Sequence, residues 1–73
     1  MNDLATIERL NARAVEQAIP HQIAAGKSAV LEYNGLHFMG AKFFDTGAEA
    51  RAAFEAAEAN KLPGDRFELR MAA

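Results

Sequence analysis

The chain contains no cysteine. Neither a disulfide framework nor a thiolate zinc site can support its fold, so packing or self-association must do so. Serine occurs only at Ser28 and histidine only at His21 and His37, which leaves a serine nucleophile flanked by histidine and carboxylate nowhere to form. No Cys, Asp or Glu stands at metal-ligand spacing around either histidine. No apolar run approaches the roughly 20 residues that a membrane-spanning helix needs, and Met1-Asn-Asp-Leu4 lacks the basic start of a signal peptide. A net charge of −2 supplies no general attraction for nucleic-acid phosphates or anionic lipid. Together these absences predict a soluble, cytoplasmic, non-enzymatic protein with no cofactor and no metal.

What is present is globular in character. Apolar residues make up 51% of the 73 positions and charged residues 25%, a balance that separates the chain from disordered sequences. Its length fits a single domain, residues 1–73, with an adequate but thin core.

Leu4, Ile7, Ala14, Val15 and Ala18 recur at helical spacing, with Asn2 or Asp3 as cap and Pro20 as the predicted stop. Pro20 to Lys27 reads as a connector. Asn34-Gly35 then predicts a two-residue type I′ turn, which would pair Tyr33 with Leu36, Glu32 with His37, Leu31 with Phe38 and Val30 with Met39. Thr46-Gly-Ala-Glu49 matches a capping box and predicts a helix through Ala59 that buries Ala50, Ala53, Phe54 and Ala57. Pro63-Gly64 ends it. In the last strand Phe67, Leu69 and Met71 alternate with Arg66, Glu68 and Arg70.

These elements predict an α+β fold of order α-β-β-α-β, with a three-stranded antiparallel sheet in order 2-1-3. Both helices are expected on one face, over Leu31, Tyr33, Leu36, Phe38, Phe67, Leu69 and Met71. The opposite face would then carry Val30, Met39, Ala41 and Phe43 beside the charged residues of the last strand.

Few residues offer chemistry. Gly26-Lys27-Ser28 imitates the end of a phosphate-binding loop, but His21 occupies the position of its first glycine, and a helix precedes where a strand is required. His37 is expected opposite Glu32 as a surface pair, and His21 in a loop. Glu55 and Glu58 share a helix with Arg51, an ordinary solvated arrangement. Arg66, Arg70, Lys42 and Lys27 are opposed by Glu32 and Glu68, which argues against direct nucleic-acid binding. A mixture of apolar anchors and directional charge is what partner-binding surfaces favour. The predicted docking surface is therefore Met39, Phe43, Arg66, Glu68 and Arg70. The alternative is Glu49, Glu55 and Glu58, meeting a basic groove on a larger complex by imitating phosphate charge. The other readings are a homodimer or homo-oligomeric accessory or regulatory protein, and a weak nucleic-acid-binding module.

Gly40-Ala-Lys-Phe-Phe-Asp-Thr46, leading from an Asn-Gly hairpin into an acidic-capped helix, resembles the strand-to-helix junction of small phage-encoded proteins, among them anti-CRISPR inhibitors of type I surveillance complexes. The resemblance is confined to this junction. It implies a stoichiometric inhibitor that acts in the host cytoplasm, binds a host protein complex and blocks its DNA recognition or nuclease recruitment. It carries no functional residue across by motif.

Overall fold

The computed structural model describes residues 3–72. Helix α1 spans Leu4–Ala24, strand β1 Ser28–Asn34, strand β2 His37–Phe44, helix α2 Gly47–Asn60 and strand β3 Asp65–Arg70. The sheet is antiparallel in order β2-β1-β3, so the predicted class, element order and strand order hold.

Helix α1 starts where its cap allows. The Asp3 carboxylate accepts from the Thr6 N–H at 2.8 Å, and that bond holds the carboxyl below the ordinary carboxylate range. Asn2, the other predicted cap, lies outside the described residues. The helix does not stop at Pro20. It runs one further turn, because Ile19 and Ile23 pack on the sheet as a pair only if the helix continues between them. The real stop is Gly26, at φ +89°. The Lys27 N–H bonds to the Gln22 carbonyl and the Gly26 N–H to the Ile23 carbonyl, the two bonds of a Schellman cap. Gly26-Lys27-Ser28 is thus a helix terminator, and His21 is a residue of the last helical turn, not of a loop.

The hairpin turns at Gly35-Leu36, one residue later than predicted. Asn34 pairs with His37 and Tyr33 with Phe38, then Glu32 pairs with Gly40, which leaves Met39 as an unpaired extra residue in β2. Gly35 has φ +59° and among the described residues no other residue type takes positive φ, which excludes a type I′ turn on Asn34-Gly35 and fits the type II′ pattern with glycine first. Contacts from outside the hairpin account for the shift: Asn34 Nδ2 donates to Asp65 Oδ1 at 3.2 Å, and the Gly35 N–H donates to the Gly64 carbonyl at 2.9 Å. Leu36, 98% exposed at the turn, belongs to no core. His37 faces Asn34, not Glu32.

The helices lie on opposite faces of the sheet, not on one. Ala29 stands between Phe43 and Arg70, Leu31 between Ala41 and Glu68, and Tyr33 between Phe38 and Arg66. This is the α1 face, where Ile19 and Ile23 meet Ala29, Leu31, Phe38 and Phe43. Val30, Phe44 and Phe67 occupy the other face beneath Ala53 and Ala57 of α2. Both sides of the central strand are thereby covered, and Ser28, Ala29, Val30 and Leu31 are consecutively buried. Val30, Ala41 and Phe43, expected on an open face, are therefore core residues. The predicted α2 stripe holds, with Ala50 fully buried and Ala53, Phe54 and Ala57 half-buried.

Candidate interaction surfaces

Helix α1 crosses β2 and β1 and leaves β3 uncovered on its side of the sheet. Alternation along β3 places Arg66, Glu68 and Arg70 on that open strip, and Tyr33 of the neighbouring strand joins them. The Arg66 guanidinium lies over the Tyr33 ring at 4.1 Å from its centroid, and the ring meets Phe38 edge-on at 5.6 Å. Glu68 is bracketed by Arg70 at 3.4 Å and Arg66 at 3.8 Å. Partial burial, and then the Glu68 carboxylate beside it, push the Tyr33 phenol above its ordinary range. Two guanidinium groups flank one carboxylate, so the strip carries more N–H donors than Glu68 alone can satisfy.

The predicted five-residue surface divides. Arg66, Glu68 and Arg70 form one patch, as alternation required. Phe43 shares their face but is packed under α1. Met39 stands at the bulge of β2, across the sheet from β3 and exposed. Tyr33 was missed. Its place depends on the register of β1 against β3, which no local pattern encodes.

The acidic alternative also divides. The Glu49 N–H donates to Thr46 Oγ1 at 3.2 Å, and Thr46 Oγ1 donates to Glu49 Oε1 at 2.9 Å, so this carboxylate is held in the cap, on the Thr46 hydroxyl instead of the expected Thr46 N–H. Glu58 pairs with Lys61 at 2.9 Å. At about 100° per residue, Glu49 and Glu58 point to opposite sides of α2, and Glu55 falls on a third bearing. The three do not line up as a phosphate backbone does.

Two clefts remain. One of about 1070 Å³ opens between the N-terminal half of α1 and the hairpin tip, bordered by Glu8, Arg9, Val15, Tyr33, Phe38 and Met39. The other, about 340 Å³, lies between α2 and the sheet. Among the described residues no group of three or more His, Asp or Glu side chains converges as a metal site, and no buried side-chain polar atom lacks a partner. The solvent side of α1 exposes Leu4 at 70%, Ile7 at 43% and Leu10 at 57%, which the sheet does not use. Among the described residues no helix is long and apolar enough to cross a membrane. No protein family, characterised protein or solved structure matches this chain.

Proposed function

We propose that this chain is a non-enzymatic binding module that covers a surface of a larger protein through the strip of Tyr33, Arg66, Glu68 and Arg70. The observation that carries the reading is the Arg66 guanidinium stacked on Tyr33 beside a second arginine, on the part of the sheet that α1 leaves open. Tyr and Arg dominate the energetics of protein interfaces, and a guanidinium already stacked on a ring gives up less freedom when it meets a partner. The partner surface this strip fits is acidic, with carboxylates spaced to meet Arg66 and Arg70 on either side of Glu68. Inhibition of a host defence complex is the specific form implied by the likeness at Gly40–Thr46. In that segment Lys42 pairs with Val30, Asp45 with Lys27, and Thr46 caps α2, so these residues serve the fold and the segment selects no target.

The experiment is capture of partners by the immobilised chain and by its Arg66→Glu/Arg70→Glu variant, with captured proteins identified by mass spectrometry. The expected result is loss of an acidic partner from the variant with unchanged circular dichroism and melting temperature, since exposed strand charges contribute little to stability. Equal capture by both, or loss only on reversal of Glu49, Glu55 and Glu58, overturns the assignment.

A further inference from the structure

Strand β3 is an edge of the sheet, and its ladder to β1 fixes which of its backbone groups face outward. The Gly35 N–H donates to the Gly64 carbonyl, one step beyond the Asn34–Asp65 pair. Hydrogen-bonded and non-hydrogen-bonded pairs alternate along an antiparallel ladder. Gly64, Arg66, Glu68 and Arg70 therefore turn their N–H and C=O groups toward β1, and the Ala72 N–H on Ser28 Oγ keeps the same parity. The N–H and C=O groups of Phe67, Leu69 and Met71 point to the open edge. Asp65 has that parity too, but its N–H is taken by the Leu62 carbonyl at 3.0 Å, so the free edge begins at Phe67. The other edge, β2, is broken by the bulge at Met39, whereas β3 pairs with β1 without interruption from Asp65 to Arg70. An unbroken edge strand is a template for a further strand.

We infer that this edge pairs with the same edge of a second copy, antiparallel and centred on Leu69, joining the two three-stranded sheets into one. In that register Leu69 faces Leu69, and Phe67 faces Met71 of the second copy. Outward-pointing groups then meet outward-pointing groups, so each of these residues exchanges ladder hydrogen bonds. On the α2 face, half-buried Phe67 and Leu69 and exposed Met71 form a row of apolar cross-strand pairs. On the opposite face Glu68 stands across from Arg70 of the second copy, twice by symmetry. Neighbouring registers lose one of these features. Centred on Glu68, the pairing sets Arg66 against Arg70 and Glu68 against Glu68, like charge on like. Centred on Arg70, it sets Arg70 against Arg70. Centred on Phe67, it sets Arg66 against Glu68, but Leu69 then falls opposite Asp65, whose N–H is already bonded. Charge complementarity and the count of free N–H groups thus select the same occupant and the same register. The pairing uses the edge of β3 and not its face, so it does not depend on the binding role proposed for Tyr33 and Arg66.

Sedimentation equilibrium of the full chain tests this, with a mass of twice the 7.9 kDa chain expected at high concentration. Glu68→Arg and Arg70→Glu are each expected to return the monomer with unchanged circular dichroism, because each sets two like charges opposite one another across the seam. Mixed in equal amounts, the two variants are expected to form a dimer again, since each then meets the opposite charge at both positions. Amide exchange of the wild-type chain, followed by NMR, gives a reading that needs no variant. The Phe67, Leu69 and Met71 amides are expected to gain protection as concentration rises, while those of Glu68 and Arg70, bonded to β1, are protected at every dilution. A wild type that stays monomeric at every concentration, which would leave the edge to a strand of another protein, overturns the inference. So does an Arg70→Glu chain that still dimerises, a mixture of the two variants that does not, or exchange at Phe67, Leu69 and Met71 that ignores concentration.

Discussion

The amide N–H of Gly35 donates to the carbonyl of Gly64 at 2.9 Å, so the turn between β1 and β2 is bonded to the turn that opens β3. Both glycines have positive φ, +59° and +93°. The tip of the sheet is thus two turns that hold one another.

Gly35→Val is accordingly expected to destabilise the fold by about 1–3 kcal/mol, since a β-branched residue is forced into the left-handed region. No neighbouring atom would touch an added Cβ, so the loss is a backbone effect alone. Urea denaturation reads it; a midpoint equal to wild type would show that the turn relaxes without cost.

Thr46→Ala removes both the acceptor for the Glu49 N–H and the donor to Glu49 Oε1. A loss of about 0.5–2 kcal/mol is expected, with Thr46→Ser recovering most of it. An unaffected denaturation midpoint in Thr46→Ala would remove the cap from the account of α2.

Pro20→Ala is expected to stabilise the chain by about 1–3 kcal/mol, because α1 continues through an exposed proline that cannot donate to the Glu16 carbonyl. A lower melting temperature in the alanine variant would mean that the rigid ring matters more than the missing bond.

Acid dependence follows from Asp45 and Asp3. The Lys27 ammonium donates to Asp45, and this hydrogen bond and charge lower the Asp45 carboxyl below its ordinary value of 3.8; the Thr6 amide does the same for Asp3. Folded values lower than unfolded ones mean that the stabilisation is fully present above the ordinary value and is lost as pH falls through the folded value. Melting temperature is therefore expected to be flat with respect to these two groups from neutrality down to about pH 5 and to fall below about pH 4. Asp45→Asn is expected to make that fall shallower. An identical acid limb in the variant would show that the Lys27 pair contributes nothing, the ordinary fate of exposed pairs.

The order of elements, the strand order, the Thr46 cap and the alternation of β3 were legible because each rests on local chemistry. The helix faces were not. Ser28 to Leu31 are small or apolar without alternation, and a strand buried on both sides carries no parity from which to assign a face. The turn was misplaced because Asn34-Gly35 is the strongest local signal, whereas Asp65 and Gly64 decide the register from the far end of the chain. The extension of α1 past Pro20 was announced by Gly26, whose role as a helix terminator was hidden by its likeness to a phosphate loop. Of the docking strip, the three charged residues were legible and Tyr33 was not, since only the β1–β3 pairing brings it beside Arg66.

The placement of β3 last also bears on how the chain is made. Its partner β1 is the central strand, and Ser28 Oγ accepts from the Ala72 N–H at 3.1 Å, beyond the end of β3. During translation the hairpin and both helices can form while one side of β1 stays open, and the sheet is completed only when the residues after Asp65 leave the ribosome. A stalled nascent chain ending before Asp65 is expected to be cut by protease within β1, and one extended past Ala72 to resist.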